Sequence, residues 1–377
     1  MMYFDNAATT YPKPTTVNQA VERALRLYGA NPGRAGHAMS MRTAEEIYQT
    51  RSEIAEFFNA AGPECVVFTP NCTAALNYVI KGILKPGDHV VTSNLEHNAV
   101  MRPLEKLSDK GITYTAVEVT PGDNDKTVDA FRKALKPNTA LVVCTHVSNV
   151  WGIRLPVERI TALVHQYGIP LCLDAAQSAG VFPIQMGVSC DYLCIAPHKG
   201  LYAPMGTGIL ITCMEKKLDT LIEGGTGTNS ISLEQPETLP DRFESGTVNV
   251  PGICGIRAGL RFVRSKGLSR VLEHETMLMR RLYRSLAKSP KVQLYTPEPE
   301  GKAFAPVFSF NVEGMGSEEV GSFLARQGAA VRAGLHCAPC AHKTMGTLET
   351  GAVRCCPSVF TTERDVATFA SFMRKIL

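Results

Sequence analysis

The sequence predicts an α/β protein with two parts: a large domain built on a mostly parallel sheet flanked by helices, and a smaller C-terminal α+β domain. From about Cys65 onward, short β-rich runs alternate with segments of helical spacing, which is typical of a parallel sheet covered by helices. Several of these runs are apolar throughout, as expected for strands buried on both faces. After Pro251 the alternation ends, and a long helical stretch precedes separated strands and two further helices.

Each element has its own signal in the chain. The predicted strands are Cys65–Phe68, His89–Thr92, Ile112–Val119, Ala140–Val147, Pro170–Leu173, Tyr192–Ile195, Gly208–Thr212, Val292–Tyr295, Pro306–Val312, Ala330–Arg332 and Ala352–Cys355. The predicted helices include Thr73–Leu84, Val157–Tyr167, one long helix from Ile253 to Lys288, Ser317–Gln327 with Ser317 as N-cap, and Glu363–Ile376 with a capping box of Thr362 and Asp365. We therefore expect an N-terminal arm at residues 1–15, the large domain at 16–255 and the small domain at 256–377.

Composition and charge disfavour several classes of protein. The chain has 377 residues, of which 45% are hydrophobic and 20% charged, and its net charge of +4 is spread out, so we expect no nucleic-acid partner. No apolar run reaches the ~20 residues that span a bilayer, and the start MMYFDNAATT does not resemble a signal peptide. We expect a cytoplasmic protein without a membrane partner. Its twelve cysteines then indicate buried thiols, metal ligands or reactive groups rather than disulfides.

Two polar residues follow predicted strands, where open α/β sheets form ligand sites. Asp174 ends the run LCLD, and Lys199 follows YLCIAPH ahead of a loop rich in glycine and proline. Alone, Asp174 is more typical of a helix N-cap, and Lys199 far more typical of a surface charge. Together they meet the needs of pyridoxal phosphate, which requires a lysine for a Schiff base and an acid facing the pyridine nitrogen.

A phosphate cradle is indicated at Asn71-Cys72-Thr73, where small and polar residues open an amphipathic helix. Backbone N–H groups and the dipole at a helix N-terminus favour an anion. An ordinary capped helix would show the same pattern, so this feature supports the cofactor site only beside Asp174 and Lys199.

Cys337 lies in the loop-like run VRAGLHCAPCAHKTMG, so we expect its thiol to be exposed. Arg332, His336 and Lys343 are near it in sequence, and positive neighbours favour a thiolate. A buried structural cysteine is one alternative. Another is a zinc site from Cys337 and Cys340, with His342 and Cys355-Cys356 as further ligands. We expect no metal.

With these residues in view, the sequence resembles the cysteine desulfurase and selenocysteine lyase family of class-V aminotransferases, which have the fold type I of pyridoxal-phosphate enzymes. The resemblance runs along nearly the whole chain, and it is closer to the subgroup with an RxGxHC motif. The motifs that carry it, in family order, are FDNAATT, NPGRAGH, TPNCTAALN, NLEHNAV, HVSNVWG, LDAAQSAG, APHKGLYAPMGTG, FESGTVNVPGI, RAGLHCA and AVRCCPS.

The resemblance implies a role for each residue at a matching position. For the cofactor pyridoxal 5'-phosphate it implies Lys199 as Schiff-base lysine and proton carrier, His97 as catalytic ring-stacking residue, Asp174 at the pyridine nitrogen, Gln177 at the ring hydroxyl, and Cys72, Thr73 and His198 at the phosphate. For an amino-acid substrate it implies Ala7, His37, Asn149, Arg332 and Arg354, and it makes Cys337 the nucleophile. Thr247 would reach the phosphate of a partner subunit, which implies a homodimer.

The activity that the resemblance implies is removal of sulfur from L-cysteine, giving L-alanine and a persulfide on Cys337, with a sulfur- or selenium-acceptor protein as partner. A selenocysteine lyase is the near alternative. An aminotransferase or a β-eliminating lyase, for which Cys337 would be unused, is the more distant one.

Three residues depart from the subgroup's pattern. Leu335 replaces the first of two histidines before the cysteine, Ala196 replaces a common serine, and Cys72 stands where a threonine is common. Cys340, three residues beyond Cys337, adds a second thiol. As a hypothesis, Cys340 resolves the persulfide or helps to pass sulfur on.

Overall fold

The computed structural model describes residues 1–32, 36–212, 218–228 and 230–377, and it confirms the α/β class. Residues 33–35 of the NPGRAGH motif lie outside the described residues. Within these ranges, no helix is long and apolar enough to cross a bilayer. The helices are α1 (Thr15–Leu27), α2 (Ala38–Phe58), α3 (Cys72–Ile83), α4 (Asn98–Ser108), α5 (Asn124–Ala134), α6 (Val157–His165), α7 (Val250–Lys266), α8 (Leu268–Leu286), α9 (Ser317–Arg326), α10 (Pro339–Thr344) and α11 (Glu363–Met373).

The strands form three sheets. The large sheet has the order β2-β8-β7-β6-β5-β3-β4, a second sheet has the order β12-β13-β10-β9, and β1 pairs with β11 alone. Their bounds are β1 (Met2–Tyr3), β2 (Val66–Thr69), β3 (His89–Ser93), β4 (Thr113–Val117), β5 (Thr139–Thr145), β6 (Leu171–Asp174), β7 (Tyr192–Ile195), β8 (Gly208–Thr212), β9 (Val292–Leu294), β10 (Phe308–Val312), β11 (Ala329–Ala330), β12 (Arg332–Gly334) and β13 (Ala352–Cys355).

The large sheet is parallel except at β8, which is antiparallel to both neighbours. Successive side chains of its strands enter two different cores, as the two-residue repeat of a strand requires. In β5, for example, Val142 and Cys144 join the core with α2, α5, α6 and α7, whereas Leu141 and Val143 join the core with α3 and α4. Burial on both faces explains why several of these strands, such as β7 (YLCI) and β8 (GILIT), are apolar nearly throughout.

The second sheet is antiparallel and packs with α8, α9 and α11 around its own core. The sheet and helices match the predicted α+β character of the C-terminal part. The predicted boundary between residues 255 and 256 falls inside α7, so the domain division itself stays a prediction. The capping box at the start of α11 is confirmed, because the Thr362 side chain and the Asp365 side chain each bond the other's backbone N–H.

Three sequence predictions in the C-terminal part were wrong in detail. The single long helix is two helices, because Gly267 has a φ of 81° and separates α7 from α8; a left-handed residue ends a helix. Ser317 is the first residue of α9, and its hydroxyl donates to Thr350 O rather than capping the helix. The run predicted at Ala330–Arg332 is divided between β11 and β12.

The N-terminal arm contacts both parts of the protein. β1 pairs with β11, and Asp5 bridges to Cys356 beside the second sheet. Farther along, the Thr9 and Thr10 hydroxyls and the Lys13 amine all donate to His198 O, in the turn after β7. The arm therefore runs between the two sheets, where the predicted site residues lie.

Candidate active site

The candidate active site lies at one edge of the large sheet. β2 is parallel to β7, because β8 is antiparallel to both, and β3, β5, β6 and β7 are parallel to one another. Their carboxyl ends therefore meet at the same edge, which is where open α/β sheets bind ligands. The segments that follow these five strands carry Thr73, His97, Asn149, Asp174 and Lys199. The fold thus brings together five residues that the sequence singled out separately.

Lys199 lies in the turn after β7, and this turn is held on both sides. The Lys199 N–H donates to Ala196 O at 3.1 Å, and the Lys199 carbonyl accepts from the Thr10 hydroxyl at 3.1 Å. Burial lowers the pKa of the Lys199 amine, although the Asp174 carboxylate opposes the shift. A lower pKa increases the neutral fraction of a lysine, which is its nucleophilic form.

Asp174 ends β6 and is buried. Its Oδ1 accepts a hydrogen bond from the Ala176 N–H at 2.9 Å and contacts the Cys72 thiol at 3.8 Å. The Asp174 charge raises the pKa of both His97 and Lys199 against the larger effect of burial. The Asp174 carboxylate therefore lies close to Cys72, His97 and Lys199.

The N-terminus of α3 is where the sequence predicts an anion cradle. The Asn71 side chain caps the helix by accepting from the Ala74 N–H at 2.9 Å, which leaves the N–H groups of Cys72 and Thr73 at the open end of the helix. β8 passes close beneath this end, since a Cβ at Gly208 would lie 2.3 Å from the Asn71 carbonyl carbon. Glycine at position 208 is therefore a requirement of the cradle.

His198 joins the N-terminal arm to the site. Its Nδ1 is 3.1 Å from the Thr9 hydroxyl, and burial lowers the pKa of the imidazole to about 4. The ring is therefore neutral near pH 7. With Nδ1 engaged by Thr9, its second nitrogen is the one available to a ligand.

His97 is the N-cap of α4, and its Nδ1 accepts from the Ala99 N–H at 3.0 Å. The ring hydrogen is therefore on Nε2. Burial lowers the pKa of His97, and Lys199, Arg332 and Arg354 lower it further. His97 is a neutral ring among charged groups of both sheets.

Arg354 lies in β13, and its side chain is 1% exposed. Nη1 donates to Asn149 O at 2.9 Å, and Nη2 donates to Asp5 Oδ1 at 2.9 Å. Its Nε is buried and has no partner among the described residues. Because a buried, unpaired donor is costly, this nitrogen indicates a place for an acceptor such as a carboxylate.

Cys337 is exposed on the loop between β12 and α10. His336 and Cys337 have φ angles of 51° and 56°, and non-glycine residues in this conformation cost roughly 1–3 kcal/mol each. The loop is held to the large sheet by two hydrogen bonds of 2.8 Å, from the Asn98 N–H to Cys337 O and from Asn149 Nδ2 to His336 O. Arg332 Nη2 lies 3.6 Å from the Cys337 sulfur.

Four other predicted residues lie in different surroundings. Ala7 is buried, and its carbonyl accepts from Gln177 Nε2 at 2.9 Å, so one amide hydrogen of Gln177 is already used. His37 is exposed and caps α2 by accepting from the Ser40 N–H. Thr247 is exposed and contacts Asn31, 3.5 Å away and outside the cluster around Lys199.

Cys340 is half-buried, and burial raises the pKa of its thiol. A raised pKa lowers the thiolate fraction, which opposes the resolving role suggested for Cys340. Among the described residues, no group of three or more His, Cys, Asp and Glu side chains is placed to hold a metal ion. Cys355 and Cys356, named as further ligands in the zinc alternative, are buried at the end of β13.

The sequence reasoning missed two acids of the site. Asp5 pairs with Arg354 across 349 residues of chain, and only its place in the FDNAATT motif could have indicated it. Glu96 precedes His97 and is fully buried, with Oε1 accepting from the Thr145 N–H at 2.9 Å. Burial raises the pKa of Glu96 to about 8, so a neutral carboxylic acid lies beside the site.

Comparisons with known proteins agree with this geometry. The Aminotransferase class-V family model matches residues 2–369. This chain belongs to the class-V aminotransferase family. A probable cysteine desulfurase of Methanothermobacter thermautotrophicus is 30% identical over 100% of this chain and 94% of its own length. A cysteine desulfurase of Synechococcus elongatus is 34% identical over 100% of this chain and 60% of its own length.

Solved structures of cysteine desulfurases are similar to this chain along nearly its whole length. The apo structure of a cysteine desulfurase from Thermococcus onnurineus NA1 has a TM-score of 0.92 at 31% identity, covering 100% of this chain and 94% of that one. The Escherichia coli cysteine desulfurase CsdA, described as an S-sulfonic acid form, has a TM-score of 0.88 at 25% identity, covering 99% and 94%. The chain is therefore a member of the cysteine desulfurase family, while the RxGxHC subgroup stays a prediction.

Buried histidines around the site make stability depend on pH. His146, at the end of β5, is fully buried, and burial lowers its pKa to about 3. In the unfolded chain a histidine titrates near ~6.5, so between about pH 6.5 and about pH 4 the unfolded state binds a proton that the native state does not. The native state therefore loses stability as pH falls through this window.

We predict that His146→Gln weakens the pH dependence of unfolding by roughly 2 kcal/mol between about pH 6.5 and about pH 5, at 1.36 kcal/mol per pH unit. Urea unfolding at the two pH values measures it. Equal dependence in the wild type and in His146→Gln would contradict the prediction; the opposite contribution of the buried Glu96 is common to both proteins and cancels.

Proposed function

We propose that this protein is a cysteine desulfurase that uses pyridoxal 5'-phosphate and transfers the sulfur of L-cysteine to Cys337, releasing L-alanine. One observation carries the proposal. The loop that carries the exposed Cys337 thiol is tied through the backbone carbonyls of Cys337 and His336 to Asn98 and Asn149, which lie at the edge of the large sheet that also presents Lys199. A thiol in an aminotransferase without sulfur chemistry would not need this attachment.

The residues present fit the cofactor. A half-buried lysine of lowered pKa, a buried acid and an open helix N-terminus are the three groups that pyridoxal phosphate needs. Lys199 would hold the aldehyde carbon, Asp174 the pyridine nitrogen, and Cys72, Thr73 and His198 the phosphate. When bound, this cofactor supplies a ring that accepts the electrons of the substrate Cα–H bond.

The substrate carboxylate would bind at Arg354. Its guanidinium is pre-oriented by Asp5 and by the Asn149 carbonyl, and its unpaired Nε provides a donor. Arginine suits this role because its planar fork binds a carboxylate through two hydrogen bonds. The Asn149 backbone thus positions Arg354 for the substrate, while its side chain holds the Cys337 loop.

The protein's own groups would then move protons and sulfur. Lys199, whose pKa is lowered by burial, would take the proton from the substrate Cα and return a proton to the product. His97, neutral and with its hydrogen on Nε2, is placed to assist these transfers; a positioned acid or base contributes about 10²–10⁴-fold. The Cys337 thiolate attacks the substrate sulfur, so that the new S–S bond of a persulfide forms as the C–S bond breaks.

The function is tested by assaying the Cys337→Ala variant with L-cysteine and with selenocysteine. We predict that the variant loses alanine and sulfide formation from L-cysteine by on the order of 10³-fold or more, since the loss of a nucleophile is rarely compensated. Cys340→Ser is the matched control and should keep wild-type rates. The assay uses purified protein loaded with pyridoxal phosphate and an excess of dithiothreitol, which reduces the Cys337 persulfide and releases its outer sulfur as sulfide. Product alanine is quantified by chromatography.

The same assay distinguishes the alternatives. Selenide release from selenocysteine that persists in Cys337→Ala, while sulfide release is lost, would favour a selenocysteine lyase. Pyruvate and ammonia in place of alanine, unchanged in Cys337→Ala, would show a β-eliminating lyase and contradict the proposal. A sulfur-accepting protein partner is part of the proposal, because the persulfide is exposed to solvent on its loop.

A homodimer is the second part of the proposal, and Thr247 supports it. This residue is exposed and lies outside its own chain's Lys199 cluster, as expected if it completes a partner's phosphate site. Losing a hydrogen bond to a charged group costs about 1.5–3 kcal/mol. Thr247→Val should therefore weaken pyridoxal phosphate binding roughly 10- to 100-fold.

Hybrid dimers test whether Thr247 acts across the interface. A dimer of one Lys199→Ala subunit and one Thr247→Val subunit keeps one site with an intact Lys199 and an intact Thr247 only if Thr247 serves the partner. Mixed and separately tagged subunits should then show one high-affinity site for the cofactor. Weak binding at every Lys199-containing site of the hybrid would contradict the shared site.

A further inference from the structure

Behind the Cys337 loop lies a chain of hydrogen bonds that the proposed function has not used. His336 Nδ1 is 3.2 Å from His342 Nε2, and the two rings stack with an angle of 9° between their planes. His336 Nε2 is 3.2 Å from Arg332 O, and His342 Nδ1 is 2.8 Å from the Thr347 hydroxyl. Both imidazoles are almost wholly buried, His336 at 3% and His342 at 0% exposure.

The direction of every bond in this chain is determined by its end at Arg332. A carbonyl oxygen only accepts, so His336 Nε2 carries the hydrogen, and Nδ1 of the neutral ring must accept. His342 Nε2 is therefore the donor, and its Nδ1 accepts from the Thr347 hydroxyl. Burial lowers the pKa of His336 to about 2 and that of His342 to about 4, so both rings are neutral near pH 7, as this pattern requires.

The chain acts on the residues that present the thiol. The bond from His336 Nε2 to Arg332 O joins the two ends of the segment from Arg332 to His336. This segment places the Arg332 guanidinium 3.6 Å from the Cys337 sulfur. His336 and Cys337 both have left-handed backbones, which need external support. Asn98 and Asn149 donate hydrogen bonds to the carbonyls of Cys337 and His336. His342 bonds the imidazole of His336.

His342 is itself firmly placed. Trp151 is fully buried, packs 5.2 Å from the His342 ring and donates from Nε1 to Ala341 O at 2.8 Å. The Thr347 N–H donates to His342 O at 2.9 Å. The large sheet and the end of α10 thus fix both the ring and the backbone of this residue.

We propose that His342 is a positioning residue of the reaction: the hydrogen bond from its Nε2 to His336 Nδ1 fixes the orientation of the His336 ring, and thereby the conformation in which Cys337 meets the substrate sulfur. The inference rests on the proposed function for its effect on turnover. Its effect on the loop itself is independent of that function.

Two pairs of variants separate hydrogen bonding from packing. His342→Phe keeps a ring against Trp151 and His336 but has no donor, whereas His342→Gln keeps an N–H donor without the ring. Thr347→Val releases the tautomer of His342, whereas Thr347→Ser keeps the hydroxyl. Thr139→Val is the matched control, since Thr139 lies 2.9 Å from the buried His89 at the opposite end of the strands.

We expect His342→Phe and Thr347→Val to lower kcat for L-cysteine about tenfold, the order of effect of one buried hydrogen bond, with KM nearly unchanged because neither residue touches Arg354. His342→Gln, Thr347→Ser and Thr139→Val should stay within about twofold of wild type. Amide hydrogen exchange of the peptide spanning residues 333–341 should be faster in His342→Phe and Thr347→Val alone, whatever the cofactor content.

A kcat close to wild type for His342→Phe, together with a lowered kcat for His342→Gln, would show that packing alone matters and would overturn the proposal. If His342→Phe does not fold, the comparison of Thr347→Val with Thr347→Ser decides by itself. Equal rates and equal exchange in these two would also overturn the proposal. Altered exchange without any sulfur chemistry in the wild type would instead reject the proposed function and keep the positioning role.

Discussion

The structure depends on the attachment of the Cys337 loop to the edge of the large sheet. This loop belongs to the second sheet, and two hydrogen bonds of 2.8 Å, from the Asn98 N–H and from Asn149 Nδ2, bring it to the strand ends that carry Lys199. Neither sheet holds a complete site. The large sheet provides the Lys199 amine, the Asp174 carboxylate and the open N-terminus of α3, and the second sheet provides the Cys337 thiol and Arg354 with its unpaired Nε.

Arg354 and the N-terminal arm maintain the same junction. The guanidinium is buried between Asp5 of the arm and the Asn149 carbonyl, so its charge is paired, as a buried charge requires. Farther along the arm, Thr9, Thr10 and Lys13 bond the turn of Lys199. One short segment therefore sets the distance between the amine and the arginine, which explains why a segment too short to fold alone carries a motif.

The sequence predicted the elements that are bounded by clear local signals. β7 and β8 match the prediction to the residue, because each is a short apolar run between polar or glycine-rich neighbours. The break at Gly267 was missed because helical spacing continues on both sides of it. The pairing of Asp5 with Arg354 and the contact of His342 with His336 could not be predicted from the sequence, because each depends on a contact that the fold creates.

The central claim is that Cys337 receives sulfur at a site organised by Lys199. Mass spectrometry of the proteolysed protein, after L-cysteine is added to the enzyme loaded with pyridoxal phosphate, tests it most directly. We expect one additional sulfur atom on the Cys337 peptide, removed by a reductant and absent from Lys199→Ala protein. An unmodified Cys337 peptide while alanine accumulates, or sulfur found first on the Cys340 side chain, would contradict the account.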